Sequence, residues 1–313
     1  MAQFMPVRSH SSKSKKEQRS VLAGLPRLDY MLLGAVGTLT LGAGIFLAGQ
    51  IFNLDEHWPG GLMLWTLGAA IAWALLRQWP QLTILALVGP AWLMGEWGVA
   101  VEGVASGGSP AGLAAVRVMA CGAFLLALAY FTAARAERSG PTRHVLRWIG
   151  GVALLPAALS LALVASQIGG AALGKAELPA GLLGFGWSIA FALPLVVSAA
   201  ARRAAAWPVL AAALWVLALL SLRSLGAWPL YAWWALGAMA LALWGVAESR
   251  RERINMGSAI FAATIAAFYF SQVMDKLGRS ASLVGFGLLF LAGGWALERV
   301  RRRLIRHIEG GRA

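Results

Sequence analysis

WPGGLMLWTLGAAIAWALLRQWPQLTILALVGPAWLMGEWGVA, residues Trp58–Ala100, decides the fold. Its only charged side chains are Arg77 and Glu96, and Arg77 stands in a short polar break between two apolar blocks. Each block has the length of a membrane-crossing helix, about 20 apolar residues. Each also opens on a Trp-Pro pair, Trp58-Pro59 and Trp79-Pro80. Proline suits a first helical turn, where its missing N–H has no partner to lose. Tryptophan suits the membrane interface, where its ring is buried and its N–H is wet. The stretch reads as two spans joined by a tight basic turn.

Outward from it the same alternation repeats. Blocks nearly free of charge occupy Tyr30–Phe52, Pro59–Leu76, Pro80–Val99, Leu113–Ala133, Leu146–Gln167, Gly181–Ala201, Pro208–Leu222, Trp228–Ala247, Ile254–Val273 and Ser280–Leu297. The chain is 59% hydrophobic and only 13% charged, where a soluble domain carries about a quarter charged residues. The expected fold class is all-α, a polytopic integral membrane bundle of about ten helices. Its organisation reads as a disordered basic tail over 1–28, one transmembrane helical domain over 29–298, and a basic tail over 299–313. The stretch SHSSKSKKEQRS (Ser9–Ser20) has neither an apolar run nor a cleavage site and is not a signal peptide.

The net charge of +14 is a topology signal and not a nucleic-acid footprint. Assigned alternately to two sides, the gaps put Arg117, Lys175, Arg223, Lys276 and Arg279 on one side and the other 22 of the 27 Lys and Arg on the opposite one. The acidic residues divide almost evenly. The positive-inside rule then places both termini in the cytoplasm, with an even number of spans. That basic face could also attract anionic lipid headgroups, each basic residue adding about 1 kcal/mol near the surface. The Ala, Gly, Leu and Arg bias suggests a GC-rich bacterial genome, hence a multi-pass protein of the bacterial inner membrane. Cys121, the single cysteine, lies mid-block, so neither a disulfide framework nor a thiolate metal site is expected.

Small residues let membrane helices approach closely. The run GAVGTLTLGAG (Gly34–Gly44), with Gly285, Gly287, Gly293 and Gly294 near the other end, predicts that both ends of the chain pack centrally. Pro90, Pro156 and Pro194 fall inside blocks and predict bends that neighbouring helices tolerate. The segments WPGGLMLWTLGA (from Trp58) and WPLYAWWALGA (from Trp228) look alike. They hint at a repeat, although interface chemistry alone produces the same likeness.

An ionisable group deep in a membrane points to function by default, and the blocks hold almost none. Glu96 comes out close to the outer interface, and His10, His57, His144 and His307 all stand outside the blocks. Ion-coupled transport and intramembrane proteolysis are therefore disfavoured. What remains is polarity at the outer helix ends: Gln50, Glu96, Gln167, Arg223 and Gln272. Nearby stand Asn53, Asp55, Glu56 and His57 in one loop and Asp275 in another. Convergence of these residues predicts a polar vestibule in which Glu96 or Asp275 pairs with Arg223. The alternative is that helix ends are polar because they meet water. Asp55-Glu56-His57 offers metal-ligand atoms, but zinc ligands are usually spaced along a chain. No metal and no cofactor are expected.

Gly42–Pro80, with Gly49, Gln50, Ile51, Phe52, Leu64 and Trp65 at its marked positions, resembles the core of bacterial domain-of-unknown-function family 2157. Arg253–Leu304, with its Asp-Lys-Leu-Gly-Arg-Ser segment, resembles the last two helices of those proteins. The two stretches make up about a third of the chain. The resemblance implies a multispanning membrane protein and no activity, because the family has none assigned. Its members begin with a soluble helical segment and further spans, whereas a short basic tail precedes the core here. A shorter subtype or a start placed too far downstream would each account for the difference.

Three functions compete at this point. One is a non-energised carrier, handling a lipid or small molecule through the vestibule around Gln50, Glu96 and Gln167. Another is a structural or assembly protein that holds a membrane partner or a second copy of itself. The third is an enzyme acting on a lipid headgroup, with Asp55, Glu56 or His57 as acid or base.

Overall fold

A computed structural model describes residues 11–52, 57–104, 112–134, 140–165, 178–222, 226–273 and 279–310. Among these residues there is no strand. The helices are α1 (Ser11–Phe52), α2 (Pro59–Leu76), α3 (Trp79–Val104), α4 (Leu113–Thr132) and α5 (Pro141–Ala165). They continue as α6 (Ala180–Arg202), α7 (Trp207–Leu222), α8 (Ala227–Ala247), α9 (Arg251–Phe268) and α10 (Arg279–Gly310). A 3₁₀ turn (Arg203–Ala206) joins α6 to α7, and a π turn (Tyr269–Val273) extends α9. Among the described residues, eight helices are long and apolar enough to cross a membrane. The chain is an all-α protein built as a multi-pass membrane protein.

Every apolar block coincides with a helix, and the middle ones agree to within a few residues. The ends differ. Helix α1 runs unbroken from Ser11, so part of the stretch expected to be a disordered tail is helical. Helix α10 continues through Arg299–Arg306 to Gly310, because Leu304, Ile305 and Ile308 and the basic residues between them oppose no helical turn.

The chain divides into two compact units, Met1–Gly98 and Val99–Ala313, with the division inside α3. In the first unit α1 lies on α2, and Ala69 of α2 packs on Ile84 and Val88 of α3 with Leu62, Trp65 and Leu85 around them. In the second unit, one core joins α4, α5, α7, α8 and α9 through Leu125, Leu154, Leu161, Val216, Leu219, Trp234 and Ile260. Where lipid is the solvent, apolar burial between helices gains little over lipid contact. Tight packing and buried polar links therefore decide which helices meet.

Two glycines set the closest approaches in the second unit. A Cβ on Gly150 of α5 would stand 2.6 Å from the Ala127 carbonyl oxygen and strike the Phe131 backbone nitrogen of α4. A Cβ on Gly257 of α9 would stand 2.7 Å from the Ala238 carbonyl oxygen and 2.8 Å from the Ala242 nitrogen of α8. The α4–α5 and α8–α9 pairs are the most intimate in the molecule. The terminal glycine runs are mixed: Gly37, Gly44, Gly287, Gly293 and Gly294 face open space, whereas a Cβ on Gly42 would strike the Trp65 ring of α2 and one on Gly285 would stand 2.8 Å from the Tyr269 hydroxyl. Leu33, Leu47, Ile51, Leu288, Leu291 and Trp295 on the same helices are exposed. Each terminal helix thus has one packed face and one open face. Backbone-to-backbone approach comes from single glycines in the middle helices.

Pro90, Pro156 and Pro194 all lie inside continuous helices. At Pro156 the Ser160 hydroxyl donates to the proline's carbonyl at 2.9 Å.

Candidate functional site

Of the residues predicted for a vestibule, two are brought together. Trp58 lies with its ring edge over Gly95 of α3, and the turn Gly60 N–H to His57 carbonyl (3.0 Å) starts α2. This sets His57 beside Glu96: Nε2 lies 3.1 and 3.0 Å from the two carboxylate oxygens. Trp92, one turn earlier on α3, donates its indole N–H to Glu96 Oε1 at 2.9 Å. Among the described residues Glu96 pairs with His57 and Trp92; the expected pairing of Glu96 or Asp275 with Arg223 falls outside them. Gln50 is exposed on α1, and Gln272 is half-buried in the π turn of the second unit. Asn53, Asp55, Glu56, Gln167, Arg223 and Asp275 lie outside the described residues. Among the described residues no group of three His, Cys, Asp or Glu side chains could hold a metal ion.

The interior of the first unit is unexpectedly polar. Gln81, on the first turn of α3, is completely buried. Thr38 of α1 donates to its Oε1 at 2.6 Å and also to the Gly34 carbonyl at 3.1 Å. The Gln81 amide nitrogen has no partner among the described residues, nor has the buried Oε1 of Gln78. Both atoms lie 3.1 Å from the point where Gly34 would carry a Cβ, so a free donor and a free acceptor face the same small space. Thr66 Oγ1 on α2 and Trp73 Nε1 are likewise buried and unpartnered. An unmet buried polar atom costs on the order of 1–3 kcal/mol, so such a set persists where water or a polar solute can serve it.

A second polar centre stands in the other unit, at the ends of α4 and α6 and the turn from α8 to α9. Helix α8 closes with Arg250 N–H bonded to the Gly245 carbonyl at 2.7 Å and Ser249 N–H to the Val246 carbonyl at 3.0 Å. Ser249 takes a left-handed conformation, φ 53°. This capping turn brings Glu248 and Arg250 to one place just before α9 begins. Glu248 accepts from Arg202 of α6, from Arg253 (2.7 Å) and from Trp244 Nε1 (2.7 Å). Both guanidiniums sit over the Trp244 ring, 5.1 and 4.8 Å from its centre.

The same two arginines cap α4. Arg202 donates to the Thr132 carbonyl at 2.6 Å, and Arg253 donates to the Thr132 and Ala134 carbonyls at 3.3 and 3.1 Å. Carbonyls at a helix C-terminus lack intrahelical partners and carry partial negative charge, which cations complement. Burial pushes the Glu248 carboxyl up. The hydrogen bonds from Arg202 and Trp244 and the pairing with Arg253 outweigh that, holding it at about 2. The arrangement is a clasp that ties four helices by their ends.

Sequence reasoning passed over both centres. Gln81 sits at the edge of an apolar block, where a neutral amide looks like an ordinary interfacial residue. Arg202 and Arg253 were counted as topology marks, yet they are buried, at 4% and 2% exposure. Only Glu248, the acid among basic residues that follows Trp244 by one turn, signalled that those charges had a partner.

Comparison with protein-family models, with curated proteins and with solved structures finds none that matches this chain.

Proposed function

We propose that the protein is a non-energised carrier of the bacterial inner membrane, handling a small polar molecule through the interior of its first unit. The observation that carries this reading is Gln81: wholly buried, bonded through one amide atom to Thr38 and left open at the other. A neutral donor–acceptor set suits an uncharged or zwitterionic solute and needs no ion gradient. The His57–Glu96 pair stands fifteen residues farther along α3, about 22 Å at a rise of about 1.5 Å per residue, and supplies a polar group toward the helix's other end. Ten spans with both termini cytoplasmic complete the proposal, supported by helices at all ten apolar blocks and by the charge asymmetry of the gaps. Kinship with domain-of-unknown-function family 2157 is part of the same reading and rests on the resemblance of the two stretches named above.

Thiol accessibility tests it. In a Cys121→Ala background, single cysteines replace Gly34, Thr38, Trp58 and Arg203. On intact cells an impermeant maleimide should label Trp58→Cys and spare Arg203→Cys, which fixes the orientation. A small water-soluble thiol reagent should reach Gly34→Cys and Thr38→Cys from at least one side. Complete protection of both from either side, in a protein that labels normally at Trp58→Cys, sinks the carrier reading.

A second reading, an assembly protein holding a membrane partner or a second copy, draws on α10. Leu288, Phe290, Leu291 and Trp295 are exposed by 64–74%. Photo-crosslinking from Leu291 in native membranes should give a defined protein adduct on that reading and lipid adducts alone on the carrier reading.

A further inference from the structure

The clasp carries more positive charge than its acids answer. Four guanidiniums gather there with little side-chain exposure, counted without the backbone: Arg202 at 0%, Arg253 at 2%, Arg250 at 5% and Arg147 of α5 at 17%. Among the described residues, two carboxylates face them. Glu248 is consumed by Arg202 and Arg253. Glu252 holds Arg147 at 2.7 Å and reaches Arg250 only at 3.7 Å, and it is 45% exposed. Backbone carbonyls absorb the remaining donors of Arg202 and Arg253 but supply no full charge. Arg250 is the residue left over: its Nη2 is buried with no hydrogen-bond partner among the described residues.

A guanidinium does not deprotonate to escape burial, and each dehydrated ion costs several kcal/mol unless paired. Among the described residues, two positive charges thus stand without a matching acid. The Glu252 carboxylate meets Arg147 closely but leaves Arg250 at 3.7 Å. A phosphate, with three or four oxygens that accept from planar forks in pairs and up to two charges, can fill both.

We propose that Arg147 and Arg250 bind a phosphate group, which enters by displacing the exposed Glu252 carboxylate from between them. The site stands at helix ends, where lipid headgroups and soluble phosphate compounds both arrive, and the same chemistry serves either source.

The test uses the full chain in phosphatidylcholine nanodiscs. Inorganic phosphate is titrated by calorimetry, and nanodiscs doped with phosphatidic acid are analysed for retained lipid by native mass spectrometry. Two variants decide between outcomes. Glu252→Gln removes the competing carboxylate from an exposed position and should tighten phosphate binding about threefold or more, since it abolishes a like charge at the site. Arg250→Gln should weaken binding tenfold or more, a loss of at least 1.4 kcal/mol. Inorganic phosphate binding that follows this pattern establishes a soluble ligand. No response to inorganic phosphate, with phosphatidic acid retained more strongly in Glu252→Gln, establishes a lipid. No binding of either, or binding that Glu252→Gln leaves unchanged or weakens, overturns the proposal. That outcome points to a counter-charge from within the chain. Because Glu252→Gln alone decides, failure of Arg250→Gln to fold does not rescue the idea.

Discussion

The two units hold polar groups among apolar helices in opposite ways. In the first, neutral side chains (Thr38, Thr66, Gln78, Gln81) lie between helices, and several of their atoms go unanswered. In the second, the strongest polar groups are drawn to the helix ends and bound to one another, while an apolar and aromatic core fills the space between. Phe124, Trp215, Trp233 and Trp234 form its densest part, with Trp215 and Trp233 stacked at 6° and each donating its indole N–H to the other's carbonyl. The difference teaches where to look for work. The Glu248 centre, where one acid answers Arg202 and Arg253, is built to hold helices together. The first unit, whose buried amides and hydroxyls lack partners among the described residues, has room for a polar guest.

Breaking the clasp should have the largest effect. Glu248→Gln leaves Arg202 and Arg253 buried without their acid and should cost about 3–5 kcal/mol, read as a lowered midpoint of denaturation in detergent. The pH dependence of the wild type checks the same residue. Its carboxyl lies near 2 in the folded protein and near the ordinary 4.5 once unfolded. The stability it confers is therefore complete above about pH 5 and falls away as pH drops from about 4.5 toward 2. Glu248→Gln should flatten that part of the profile; an unchanged slope would assign it to another acid.

Next in size is close packing. Gly257→Ala or Gly150→Ala forces a methyl into neighbouring backbone and should cost about 1–3 kcal/mol. Gly44→Ala and Gly293→Ala, in open space, should be neutral or slightly stabilising because alanine is the better helix former. Equal losses at all four positions would erase the distinction between the ends of the chain and its middle.

The smallest effect concerns the first unit and has the opposite sign. The double change Thr38→Val with Gln81→Leu removes both hydrogen-bonding partners and the unmet amide together. It should be neutral or stabilise by about 1 kcal/mol, while closing the path that thiol reagents follow to Gly34→Cys. A large destabilisation would mean that Gln81 holds the unit together and serves no solute.

The helices were legible in the sequence because lipid imposes one rule on every span, namely length without charge. The Trp-Pro pairs even located the starts of α2 and α7 to within a residue. The close contacts were not. Gly150 and Gly257 look no different in the sequence from Gly44 or Gly293, and only the neighbour's backbone tells them apart. At the candidate sites, His57 and Glu96 were both singled out, but their pairing depends on Trp58 lying over Gly95, 37 positions away in the chain. Gln81 escaped notice because a search for ionisable groups passes over amides. The clasp escaped because a charge count has no means of separating an arginine in water from one beneath a helix end.

The clasp also imposes an order in time. The carbonyls that end α4 receive Arg202 from 70 residues later and Arg253 from 121 residues later. At about 5–20 residues per second of synthesis, the first arrives roughly 4–14 s after Thr132 and the second roughly 6–24 s after it. Until then the growing chain carries an unfinished helix end and unmatched arginines, the state that a membrane insertase or quality-control protease would encounter. A ribosome stalled before Arg253 should leave a nascent chain open to proteolysis around Thr132, and one stalled after α9 has emerged should leave it closed.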